Sequence, residues 1–209
     1  MAGVNSPFRR PAPLFPSRQE AIPGEPDPAE TSELAHRSAE ALLNGVRKSE
    51  DPETVERVVT LAREEGLADL ATLWSHSPAD SLPGALWRLY VLHTWTHHDP
   101  EDVARRYEEG SATIPGLRFL AGVADPPRVE AVRATLDEIM RGAFTGDLAL
   151  ALGRAGAVAT LAAHGTARLA DAAAGTEHAE ELTRQAGQLL STGEDLARAA
   201  RAEEAGELT

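Results

Sequence analysis

The sequence predicts an all-α fold, a bundle of about seven or eight helices, on three observations. Apolar residues make up 42% of the chain but aromatics only 4%, so the core material is alanine, leucine and valine. That mix suits helices that pack closely through small side chains, and it is too poor in β-branched and aromatic residues for a large sheet. The third observation is a repeated start signal. Asp27-Pro28, Asp51-Pro52, Asp99-Pro100 and Asp125-Pro126 each set an N-cap acceptor before a proline at the first helical position.

Residues 1–27 carry Pro7, Pro11, Pro13, Pro16, Pro23 and Pro26, which exclude regular pairing and predict an extended or disordered tail. Phe8, Leu14 and Phe15 are its apolar residues. From Pro28 onward a single helical domain, 28–209, is expected. Its first helix runs from Pro28 to about Lys48, with Leu34, Ala35, Ala41, Leu42 and Gly45 inward beside Ser38. The second runs from Pro52 to Glu65 on Val55, Val58, Val59 and Ala62, with Gly66 as its stop. A short third helix, Leu67 to Ser75, delivers Trp74. Pro83-Gly84 opens an aromatic helix to His98, and Pro100 to Glu109 follows. Ser111 to Asp125 has a weak pattern, compatible with a short helix or a packed loop.

Arg128 to Ala143 repeats Val129, Val132, Leu136, Ile139 and Ala143 at three and four residues, an amphipathic helix. Residues 147–163 are apolar nearly all round, the mark of a helix buried mid-bundle. Gly142, Gly146, Ala149 and Gly153 are spaced to admit a neighbouring backbone. The last helix is expected from Thr166 to about Glu204. Leu182, Leu189 and Leu196 recur every seven residues, with Ala179 and Ala186 at the intervening position. This is a coiled-coil-like seam, which needs either the domain's own helices or a second copy as its partner surface.

The net charge of −13 disfavours nucleic acid and anionic membranes as partners, since phosphate contacts need a basic face. There is no cysteine, which removes thiolate chemistry, disulfides and cysteine-ligated metals. No apolar leader opens the chain, and the run at 148–163 is short, alanine-rich and broken by Arg154, so a cytoplasmic location is expected. Walker, dinucleotide-binding and nucleophile-elbow motifs are missing, so no catalytic residue is assigned.

The stretch from Leu73 to Pro100 stands apart. It holds all three tryptophans and four of the seven histidines. His93 and His97, four residues apart on one helix, stack on one face and could bind a single transition metal. Such an ion needs further N or O ligands. His76 and Asp80 are the nearest in sequence, with His164 more distant. Trp87 and Tyr90 are the candidate wall of a ligand pocket beside them. The opposing reading makes His97 and His98 helix-end residues favoured by the dipole, His93 a half-buried core residue, and the tryptophans core.

The segment PGALWRLYVLHTWTHHDPEDVARRYEEG, Pro83 to Gly110, resembles a stretch found in uncharacterised helical proteins of high-GC bacteria. The resemblance implies a helical fold and carries no activity or site residues with it. The expected function is therefore a non-enzymatic interaction or regulatory module, with a protein partner or a second copy held through the Leu182–Leu196 seam. The alternative is a metal- or small-ligand-binding helical protein, an enzyme included, built on the 74–98 cluster.

Overall fold

The computed structural model describes residues 27–49, 51–63 and 67–209. The expectations for residues 1–26 and for a stop at Gly66 lie outside them. The described residues form nine helices and no strand. They are α1 (Pro28–Ser49), α2 (Pro52–Arg63), α3 (Ala68–Trp74), α4 (Leu82–His98), α5 (Pro100–Ser111), α6 (Pro115–Ala121), α7 (Val129–Thr145), α8 (Leu148–Ala172) and α9 (Glu177–Ala205).

Three of the four Asp-Pro pairs open helices. Asp27 accepts from the Ala29 amide, and Asp51 from the Glu53 amide and the Thr54 hydroxyl. Those bonds to Asp51 hold its carboxyl below the usual value. Asp99 ends α4 and starts α5, but its side chain caps neither. The fourth pair opens nothing. Pro127 follows Pro126 and disfavours a helical conformation there, so α7 starts at Val129 behind Arg128. Ser81 caps α4 instead, accepting from the Gly84 amide.

Helix α8 lies at the centre and packs on α4, α5, α6, α7 and α9. By length and composition it could cross a membrane, yet most of it is buried inside the bundle. It is longer than expected. The chain does not break near His164–Thr166 but continues as helix to Ala172, and it turns at Gly175, which has φ +86°. The reason is packing. A Cβ at Gly165 would come within 1.7 Å of the Arg106 carbonyl, so this glycine marks a close crossing with α5 and not a stop. Gly110, its neighbour across the crossing, is equally tight against Leu161. The last helix therefore begins at Glu177, capped by Thr176, which accepts from Ala179.

The inner faces of α2 and α7 follow their predicted spacing. That of α1 does not. Ala35, Ala39, Leu43 and Val46 are buried, while Leu34 is 54% exposed. A Cβ added at Gly142 or Gly146 would meet nothing within 4 Å among the described residues. The close approach of α8 to α9 is at Gly156 and Gly193, whose added Cβ atoms would each lie 3.0 Å from the other's carbonyl. The partner of the leucine seam is α8: Leu182, Ala186 and Leu196 are buried inside the chain, with Ala179 and Leu189 half-buried.

Candidate functional site

Helix α4 carries two chemically different faces. At roughly 100° per residue, His93 and His97 fall together, and Trp87, Val91 and Trp95 fall on the far side. The histidine face turns toward α7. There Asp137 Oδ1 accepts hydrogen bonds from His93 Nε2 at 2.8 Å and from His97 Nε2 at 2.9 Å. The two imidazoles lie 4.5 Å apart, centroid to centroid, tilted by 49°. The three ligand atoms all lie within 4.8 Å of one another, the one such group of three among the described residues. The His93 side chain has no exposure, that of His97 5% and that of Asp137 17%, so the solvent side of the group is the carboxylate.

Arg133, one turn before Asp137, places Nη2 3.3 Å from His97 Nδ1. A guanidinium only donates, so that nitrogen accepts and His97 carries its proton on Nε2, where it meets Asp137. On the other side of Asp137, Arg141 is ion-paired to Glu56. The Glu56 hydrogen bond, assisted by the charges of Glu56, Asp137 and Glu138, raises its pKa. The carboxylate of Asp137 thus sits within a run of cations on α7 and two imidazoles on α4.

The sequence placed His93 and His97 together, and the structure does the same. It does not add the other proposed ligands. His76 is exposed and bonded to Ser75 Oγ, and Asp80 is exposed in the turn before α4. His164 sits half-buried on α8, outside the group. Nor do the pocket residues join it. Trp87 lies on the opposite side of α4 and lines a groove against α9, while Tyr90 is buried in the core. Trp74 is also core, its Nε1 donating to Ser38 Oγ at 2.9 Å. His98 keeps the helix-end role, with Nδ1 2.9 Å from the Thr94 carbonyl.

Sequence reasoning missed Asp137 and Arg133. One signal existed: Asp137 directly follows Leu136 of the inner stripe of α7, a place where a carboxylate flanks the buried face. Which helix lies opposite could not be read from one strand of sequence.

Two imidazole nitrogens and one carboxylate oxygen form a donor set suited to a borderline divalent transition metal. Adjacent ligands on a tetrahedral ion, about 2.1 Å from it, stand roughly 3.4 Å apart, so the present nitrogen–oxygen separations of 2.8 and 2.9 Å, which are those of hydrogen bonds, would open by about half an ångström around an ion. No family model, curated protein or solved structure matches the chain.

Proposed function

We propose that this protein is a metal-binding helical protein, with His93, His97 and Asp137 as the protein ligands of one divalent transition ion. The observation that carries the reading is the convergence of three suitable donor atoms from two helices within 4.8 Å. The ion would bind both imidazoles through Nε2, with the ring proton of each moved to Nδ1 and the Arg133 guanidinium turned away from His97 Nδ1, and it would join α4 to α7. Remaining positions would be filled from the Asp137 side, the one with solvent access. The near-complete burial of both imidazoles favours a structural or sensing role over turnover, because catalytic sites keep an open position.

Calorimetric titration with Zn²⁺ and with Co²⁺ tests this. One equivalent should bind to the native chain. The His93→Ala and His97→Ala variants should lose binding, and Asp137→Asn should weaken it by about tenfold or more, in the range seen when ligands or their supports are removed. Unaltered binding in both histidine variants would sink the reading.

A second reading, the interaction module, draws on one feature. Phe119 is 85% exposed on α6, beside Leu120, and an exposed aromatic of this kind suits a partner surface.

A further inference from the structure

The far face of α4 borders a groove of about 480 Å³ between α4, α5 and α9. Its size is that of a small-molecule site. The α4 wall is apolar, with Trp87, Val91 and Trp95, and the α9 wall is mixed, with Leu189 beside Gln188 and Thr192. Trp87 to Trp95 spans eight residues, or about 12 Å of helix. One end is different: Arg106 lines it from α5.

The Arg106 side chain is only 10% exposed, an expensive place for a cation. It is held firmly but incompletely. Nη1 donates to the buried Thr166 hydroxyl at 3.2 Å and to Gln185 Oε1 at 2.9 Å. The guanidinium lies over the Trp95 ring, 5.6 Å from its centroid. Asp102 Oδ2 comes within 2.6 Å of Nε, yet off the N–H direction, so the buried Nε–H makes no hydrogen bond. Among the described residues Nη2 makes none either. Asp102 is also shared with Arg105, whose side chain is 58% exposed, so Arg106 has only part of this carboxylate. Asp99, the other acid at this groove, is exposed at its rim, where water screens it.

We propose that this groove binds a small organic carboxylate with an aromatic or aliphatic body, the acid group on the free side of Arg106 and the body along Trp95, Val91 and Trp87. A carboxylate matches the planar donors of a guanidinium, and it would supply an acceptor for Nη2. The site is separate from the histidine cluster and independent of it.

The test is calorimetric titration of the full chain, treated with chelator, using 4-phenylbutyrate and its neutral amide. One equivalent of the acid should bind, with the amide at least tenfold weaker. Val91→Trp, which fills the groove from a position that is already exposed, should abolish binding, and Arg106→Gln should reduce it to the level of the amide. His97→Ala should leave it unchanged. Lack of saturation by the acid at millimolar concentration overturns the proposal. So does equal binding of acid and amide, survival of binding in Val91→Trp, or its loss in His97→Ala. If Arg106→Gln does not fold, the amide comparison and Val91→Trp decide.

Discussion

Tyr107 shows how burial dominates the chemistry of one side chain. Its ring is enclosed by α5 and its neighbours, and its hydroxyl is buried with no hydrogen-bond partner among the described residues. Desolvation disfavours the phenolate and pushes the pKa from near 10 up to about 12; Arg118 opposes the rise and Asp125 adds to it. The folded value lies above the unfolded one, so folding favours the protonated form. That contribution is complete below about pH 10 and is lost as the pH climbs toward 12. Tyrosinate absorbance should therefore show Tyr107 titrating late, at about pH 12, with stability falling across the same interval. A Tyr107 step near pH 10, identified by its loss in Tyr107→Phe, would contradict the burial argument. The residue scale is also where the metal site divides into what could be read and what could not. His93 and His97 share a helix, so their spacing sufficed. Asp137 belongs to a helix whose facing partner depends on tertiary packing, and the nearer candidates His76 and Asp80 are turned to solvent.

At the scale of elements, small residues decide how closely helices cross. Gly165 and Gly110 seat α8 against α5, and Gly156 and Gly193 seat it against α9. Gly187, in the middle of α9, meets nothing. The two kinds should respond oppositely to alanine. Gly165→Ala forces its Cβ onto the Arg106 carbonyl and should cost about 3 kcal/mol or more, since the helices must separate. Gly187→Ala should gain up to about 1 kcal/mol from helix propensity. Chemical denaturation measures both, and a neutral Gly165→Ala would show that the crossing is looser than described. The starts at Asp27 and Asp51 were legible because an Asp-Pro cap is local chemistry, whereas Asp99 precedes a helix without capping it and Asp125-Pro126 opens none. The boundary between α8 and α9 was not legible. Gly165-Thr166 reads as a stop and a cap, but Thr166 bonds back to the Ala162 carbonyl within the helix and receives Arg106 from α5. The same glycine signal has opposite meanings in a turn and at a crossing, and only the neighbouring backbone distinguishes them.

At the scale of the whole molecule, the leucine seam of α9 is satisfied by α8, and a second tie holds the far end of α9. Arg88 on α4 donates through Nε to Asp195 at 2.9 Å and through Nη1 to the Gly84 carbonyl, while Arg198 pairs with the same aspartate. The Thr209 carbonyl accepts from the Leu82 amide. Leu196→Glu places a charge where there is no exposure and should destabilise the fold by about 3 kcal/mol or more, with the sedimentation coefficient of the folded fraction unchanged. A variant that stays fully folded but loses a dimer would return the seam to an interface between copies. The amphipathic pattern announced this seam accurately, but a leucine repeat is the same whether its complement lies in the same chain or another one. An all-α bundle around a buried apolar helix was legible for the same reason: composition and period report burial, not the identity of what does the burying.

The claim on which the functional reading rests is that α4 and α7 hold an ion between them. Anomalous X-ray diffraction from crystals grown with Zn²⁺, collected on both sides of the zinc edge, addresses it directly. The account predicts one strong peak about 2 Å from the Nε2 atoms of both His93 and His97 and from an Asp137 oxygen, absent in crystals of His93→Ala. Crystals in which the Nε2 hydrogen bonds to Asp137 persist and no peak lies at that position would contradict it. They would leave the cluster as a polar clasp between two helices.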